Sequence, residues 1–439
     1  MLIFSRRALQ RLLDALGTIF PREQLEGLVR RLNRPGDDRL PAMWEVTLLF
    51  ALSRVGLIAY EAQLSSGRKP DLAFTYPGEN RIGFFADVTT ISDSGLNKDN
   101  PVQLLSDELV RITRRVGLDP NHIFYDVESR RDGDYGDGKV RLLLPSRGAL
   151  ARVINTKILP FLRRIKRENL HAGEIKIEED GVALRIGYNA DQRFMSGGHS
   201  SYDVALSLQK NPLWNALRSK ADQLKQTAKV ALAGVIVCDG GCALLRQRHK
   251  PPDTFSATNI VSEFLRQHSS IDFVLSFSAE DLGSVAGPRK VQIVSKLWHR
   301  DDDGAIRRLR RLIDNAISSL PTPILDSLNA SIQSRKEGYG LGFRGGITMG
   351  GRSVRLPSRT LLELLAGRMS VVEFNEISDL RALDEQGDGR VNPFQKFLSE
   401  GRMIKRVRVD PAENENDDWI TIEFGDSDPA VSPFRTKRD

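Results

Sequence analysis

The hydrophobic period of this chain changes at Gly56, and that change limits the folds open to it more than any other feature. Before Gly56, apolar residues recur at helical spacing: Leu9, Leu12, Leu13 and Leu16, then Leu25, Leu28, Val29 and Leu32. Such spacing marks the buried stripe of an amphipathic helix. Pro21 stands where a helix tolerates proline, at its first turn. After the turn-rich Arg34-Pro-Gly-Asp-Asp38, a helix is predicted from about Pro41 to Val55. Beyond Gly56 the alternation has period two, and Leu57–Ala62, Asp71–Tyr76 and Ile82–Thr89 read as short strands with Gly and Pro between them. A helix over 101–116 and an apolar strand over 123–127 follow. The predicted fold is therefore α/β, a mixed sheet flanked by helices.

Further along, 147–187 reads as a long basic helix and two strands, and 189–203 as a loop holding Gly197 and Gly198. A helix over 211–227 leads into the apolar run Ala231–Cys238, and a helix over 259–268 precedes a strand over 273–277. The polar stretch Ser129–Gly138 reads as a surface loop. Its aspartates lack the spacing and closing Glu of a calcium loop. After Arg300 come a basic helix over 305–320, the glycine-rich Gly338–Gly346, and a helix over 358–365. The expected organisation is a helical N-terminal arm over 1–40 and a main domain over 41–300, with an insertion at about 129–205. A smaller C-terminal α+β module over 301–409 and an acidic tail over 410–439 complete it.

The longest apolar run, Val230–Cys238, is nine residues, against the ~20 that a membrane span needs. The first residues lack the apolar core of a secretory signal. Only two cysteines occur, Cys238 and Cys242, which argues against a disulfide scaffold and fits a cytoplasmic protein. A zinc site would need four ligands, and His249 is the only near recruit.

The 439 residues carry 64 Lys and Arg against 57 Asp and Glu, a net charge of +7. The charge is unevenly spread: Asp410 to Phe434 holds eight acids and no Lys or Arg, so residues 1–409 carry a net +13. A basic body suits a polyanion such as nucleic acid, because phosphate contacts release condensed counterions. A solvated basic surface is the plain alternative. The best backbone-contact candidates are Arg163, Arg164, Lys166 and Arg167 on one helix, and Arg307, Arg308, Arg310 and Arg311 on another. Arg344, with Arg335, Tyr339 and Phe343, offers a stacking clamp for a strand.

The chemistry concentrates between residues 45 and 89. Glu45 lies between Trp44 and Val46 on a mostly apolar helix, Pro70-Asp71 opens one strand, and Asp87-Val88-Thr89 closes the next. Register between these hairpin neighbours can set the two aspartates side by side. Paired carboxylates repel unless a cation lies between them, and their hard oxygens suit Mg²⁺. Asp87, inside Ile82-Gly-Phe-Phe-Ala-Asp-Val-Thr, also needs a compensating partner.

The phrase Arg68-Lys-Pro-Asp-Leu-Ala-Phe, the sixteen-residue step from Asp71 to Asp87, and the order of helix, three strands, helix and strand resemble the PD-(D/E)xK phosphodiesterase superfamily. Restriction endonucleases belong to that superfamily. The resemblance implies a restriction-endonuclease-like core and a nuclease requiring Mg²⁺ (or Mn²⁺). Nucleic acid, expected to be DNA, would be its substrate. A role in bacterial restriction or phage defence follows, with a homo-oligomer or a defence-complex partner and no membrane. It gives Asp71 and Asp87 the metal and Glu45 a supporting ligand role.

One departure stands out. Where the superfamily has a lysine, two positions after Asp87, this chain has Thr89, whose hydroxyl cannot supply positive charge. Either the lysine has moved to a neighbouring helix, or catalysis is lost and a nucleic-acid-binding or scaffolding subunit remains. Lys220, with Gln223 on the same helical face, is the candidate for the moved lysine; a solvated helix residue is the alternative. The move requires Lys220 within ~10 Å of the aspartate pair.

Overall fold

The computed structural model describes residues 2–61, 70–79, 81–133, 138–179, 181–224, 231–246, 253–283, 290–335, 348–378, 380–381, 390–413, 415–428 and 430–431. Arg344 and the whole glycine-rich stretch lie outside them. The chain divides into two compact units, one of residues 1–55, 279–293 and 315–439, the other of residues 56–278 and 294–314. Among the described residues no helix is long and apolar enough to cross a membrane.

A six-stranded mixed sheet organises the second unit, with residues 279–281 and 291–293 of its last two strands counted in the first. Its order is Leu57–Tyr60, Leu72–Thr75, Ile82–Ile91, Leu232–Asp239, Phe273–Asp281, Val291–His299. The first three strands form an antiparallel meander, and Ile82–Ile91, Leu232–Asp239 and Phe273–Asp281 run parallel. Parallel neighbours need a crossover connection. The helices Pro212–Leu224 and Ala257–Gln267 supply the flanking cover. Their apolar faces, with Leu217, Ala221, Ile260 and Phe264, share one core with Ile91, Val235 and Val237. The opposite sheet face is aromatic: Phe74 stacks on Phe84 at 5.0 Å, and Phe84 meets the edge of Phe273 at 5.8 Å between ring centres. The α/β expectation of a mixed sheet flanked by helices is met.

Several finer expectations are not. The strand Ile123–Val127 does not extend the main sheet. It lies in a separate four-stranded sheet, ordered Ala172–Glu179, Val182–Asn189, Ile123–Val127, Ser196–His199. That sheet and the helices Val102–Val116 and Leu159–Arg167 enclose their own core around Leu105, Leu109, Ile158, Leu162 and Ile186. The main sheet resumes only with the helix Pro212–Leu224 and the strand Leu232–Asp239, so an inserted module begins nearer residue 100 than 129. Ser129–Gly138 is not wholly loop, since Ser129–Asp132 pairs with Lys139–Leu142. Gly197 and Gly198 belong to a strand pressed on Tyr125 and Asp126, where a Cβ would come within 2.3 and 2.2 Å of their side chains.

The first unit gathers the helices Arg6–Leu16, Arg22–Asn33 and Arg39–Ser53 with a four-stranded antiparallel sheet. The strand Trp419–Ser427 sits inside that sheet, between Ser353–Pro357 and Arg402–Asp410. The expected acidic tail is thus structured as far as Ser427. Ile420, Ile422 and Phe424 alternate into a core with Val354 and Leu356, and burying that apolar row outweighs the local acidity. Nor do residues 1–40 form a separate arm: Arg7 pairs with Asp418 at 2.8 Å.

Gly234 shows how tightly the main sheet is packed. It pairs with Phe273, and a Cβ on it would lie 2.2 Å from that ring. Overpacking of this kind costs about 1–3 kcal/mol. Gly234→Ala is therefore expected to lower the unfolding free energy by that amount in a urea titration, with an unchanged denaturant slope.

Candidate active site

Register builds the site. Leu72 pairs with Ala86, so one step further the antiparallel ladder sets Asp71 opposite Asp87. On its other side Asp87 pairs with Val235, and Thr89 with Val237. Paired residues of neighbouring strands point to the same face. Asp87 and Thr89 therefore share the face of Val235 and Val237, which the helix Pro212–Leu224 covers. Lys220 follows Leu217 by one helical turn and precedes Leu224 by another, so it flanks the helix's buried stripe.

These placements bring three of the sequence-predicted residues together. Lys220 Nζ lies 3.1 Å from Asp71 Oδ2 and donates to it. The Val88 amide donates to the same oxygen at 2.8 Å. The Asp71 amide donates in turn to Asp87 Oδ1 at 3.1 Å. Asp87 is buried, at 2% exposure, and an ionised group there needs such compensation. The Asp71 and Lys220 side chains are 37% and 19% exposed, so the pair meets solvent while its base does not. Lys220 lies well inside the ~10 Å required of a relocated lysine.

The remaining candidates hold other partners or stand exposed. Glu45 belongs to the first unit, where Arg31 grips both of its oxygens at 2.9 and 2.5 Å. Gln223 is exposed one turn beyond Lys220. Arg163, Arg164, Lys166 and Arg167 are exposed on the inserted module, although Lys166 reaches the Gly117 carbonyl and Arg167 pairs with Glu168. Arg308 is not a free cation: it pairs with Glu79 and sits 3.7 Å above the Tyr76 ring. Arg307 donates to the Asp302 carbonyl, Arg310 meets His299 at 3.3 Å, and Arg311 is exposed.

Among the described residues no group of three His, Cys, Asp or Glu side chains is arranged to hold a metal. The donor set at Asp71 and Asp87 nevertheless suits Mg²⁺, which keeps several waters and needs only one or two carboxylates from a protein. Cys238 and Cys242 are buried and not joined in a disulfide. No family model matches the sequence, and no curated protein and no solved structure matches it.

Asp93 and Asp239 escaped the sequence reading. Asp239 ends one of two parallel strands and Asp93 follows the end of the other, and together they tie the loops there. The Ala243 amide donates to Asp93 Oδ2 at 2.8 Å, and the amides of Gly241 and Cys242 donate to Asp239 Oδ1 at 2.8 Å. Arg246 Nε approaches Asp239 Oδ2 at 3.2 Å. Burial raises the Asp93 carboxyl to about 6, opposed by the Ala243 amide and helped by the charge of Asp203. A carboxyl raised above its ordinary 3.8 makes the folded state hold a proton that the unfolded chain has released. Its stabilising protonation is complete below pH ~4 and is lost as pH climbs through 6. Unfolding free energy is expected to fall across that window by an amount on the order of 3 kcal/mol. Asp93→Asn should flatten that part of the pH profile, as followed by thermal melts.

Proposed function

We propose that the second unit is a metal-dependent phosphodiesterase of the restriction-endonuclease-like type, hydrolysing nucleic acid, with DNA the expected substrate. The observation that carries this reading is the Lys220–Asp71 contact at 3.1 Å, above a buried Asp87 on the neighbouring strand. An acid pair with one lysine is the grouping that the superfamily's chemistry requires, here with the lysine coming from a helix.

A divalent cation held by Asp71 and Asp87 would acidify a bound water and offset charge on the scissile phosphate. Lys220 fixes the Asp71 carboxylate and, partly exposed beside it, offers N–H donors to a phosphate oxygen as charge grows there. Thr89, on the same face as Asp87, leaves that position uncharged. A role in bacterial restriction or phage defence is a fold-level analogy and rests on the same resemblance.

A non-catalytic nucleic-acid-binding subunit is the second reading. It is favoured by Asp71 Oδ2 being satisfied by Lys220 and Val88 with no metal required. Cleavage assays separate the two. The first reading expects Mg²⁺- or Mn²⁺-dependent cutting of DNA. Lys220→Ala should slow it roughly 10²–10³-fold, the cost of removing one transition-state donor. Asp87→Asn and Asp71→Asn should abolish it while the thermal melt stays cooperative. Salt-sensitive binding without cutting, under either metal, supports the second reading. Cutting at wild-type rate by all three variants rejects the site.

A further inference from the structure

A second concave site lies past the carboxyl ends of the strands Ile82–Ile91 and Leu232–Asp239. This end of a parallel sheet is where α/β proteins take ligands. The cavity there measures about 650 Å³, within the ~300–1,000 Å³ of small-molecule sites. It belongs wholly to the second unit, and it is spatially separate from the aspartate pair. From Asp87 to Ile91 the strand alone advances ~13 Å, and the lining begins only at Leu96.

Its chemistry is amphipathic. Five cations line it: Lys98, Lys139, Arg141, Arg147 and Lys210. Lys98, Lys139, Arg141 and Arg147 are exposed, and no side chain among the described residues pairs with any of these four. Three acids, Asp99, Asp132 and Asp203, also contribute. Asp132 is already matched by Arg130 at 2.5 Å. The charge of Lys98, Lys139, Arg141 and Arg147 is therefore unspent among the described residues. Leu96, Leu144, Leu206 and Leu244 supply apolar wall, and the half-buried ring of Tyr202 supplies a flat one.

The walls are held in place by polar contacts rather than left to a ligand to arrange. Tyr202 donates to Asn97 Oδ1 at 2.8 Å. Asn100 ties the Leu96 turn to the Lys139–Leu142 strand, donating to the Leu96 carbonyl at 3.1 Å and accepting from the Leu142 amide at 2.8 Å. Asn211 caps the helix behind Lys210, accepting from the Trp214 amide at 2.8 Å. Preorganisation of this kind lowers the entropy cost of binding.

We propose that this cavity binds a nucleotide, its phosphates among Lys98, Lys139, Arg141, Arg147 and Lys210 and its base against Tyr202 and the leucines. Unpaired cations, here Lys98, Lys139, Arg141 and Arg147, suit phosphate oxygens, and an aromatic face suits a base. The same chemistry fits a free nucleotide or one unit of a nucleic acid strand held away from the acid pair. The proposal does not depend on cleavage.

The test uses full-length Asp87→Asn protein in EDTA at ~50 mM salt, where charge contacts are weakly screened. Two probes are titrated: ATP by calorimetry and a labelled single-stranded hexanucleotide by fluorescence anisotropy. Binding of ATP identifies a free-nucleotide site, and binding of the hexanucleotide alone identifies a strand site. In either case Lys139→Glu/Arg141→Glu should weaken the bound probe by at least about tenfold, about 1.4 kcal/mol. Arg147→Glu, on the following helix, should weaken it in the same direction and serves if the double variant does not fold. No binding of either probe, or wild-type affinity in the folded variants, overturns the proposal. Because the protein used is disabled at Asp87, a failed cleavage reading leaves this result standing.

Discussion

A carboxylate inside a sheet is the constraint around which the second unit is arranged. Asp87 sits in an interior strand with a ladder on each side and has almost no contact with water. Dehydrating an ionised carboxylate costs several kcal/mol unless bonds replace the lost hydration. The Asp71 amide supplies one such bond, and it can do so only because the hairpin register sets residue 71 opposite residue 87. Asp71 then passes the charge outward: its own carboxylate is held by the Val88 amide and by Lys220. A slip of one residue would reverse the faces of the whole strand, turning Asp87 towards the aromatic face and Val88 towards the helix Pro212–Leu224. The acid pair and the register specify each other.

That coupling spans a long stretch of chain. Lys220 and Asp71 are separated by 149 positions, and the inserted module, with its own sheet and core, occupies most of the interval. Loop closure over such a length costs little more than over half of it, since the penalty grows only logarithmically. The helix Pro212–Leu224 recovers that cost through its apolar stripe, with Leu213, Leu217, Ala221 and Leu224 buried against the sheet. The position of Lys220 is therefore set by hydrophobic packing, and its charge is carried to Asp71 by that packing.

How much of this could be read from the sequence depended on whether a signal was local. The meander around Asp71 and Asp87 was legible because short alternating strands, Gly and Pro state their register within one local stretch, Leu57 to Ile91. Lys220 came into view only through the resemblance, since Thr89 stands where that superfamily has a lysine, and the sequence reads a solvated helix residue there equally well; what the structure adds is its contact with Asp71. What failed was non-local. The strand Ile123–Val127 has the same apolar alternation whichever sheet receives it, so its assignment to the inserted module leaves no local trace. Trp419–Ser427 was hidden by its charge, because eight acids from Asp410 to Phe434 drew attention away from the alternation of Ile420, Ile422 and Phe424. Glu45 misled in the same way. An acid on an apolar helix demands a partner, and the sequence could not say that Arg31 provides it. Asp93 and Asp239 carry no motif; their roles arise from two turns brought together by parallel pairing.

A lysine that reaches Asp71 from a helix differs physically from one carried by the strand of Asp87 itself. A lysine two positions after Asp87 would share its strand's rigidity, with its head placed by the same ladder that places the acid. A lysine from the covering helix reaches the acid across the helix–sheet interface, along a flexible four-carbon stem whose methylenes pack while its ammonium keeps contact with water. The acid pair then depends on the ladder, while the cation depends on the core formed by Leu217, Ala221, Val235 and Val237. Anything that shifts this helix along the sheet moves the positive charge relative to the carboxylates and leaves the carboxylates where they are. Charge placement and helix packing thus become one variable in this chain, and the helix that sets it begins at Asn211 and Pro212, in the wall of the neighbouring basic cavity.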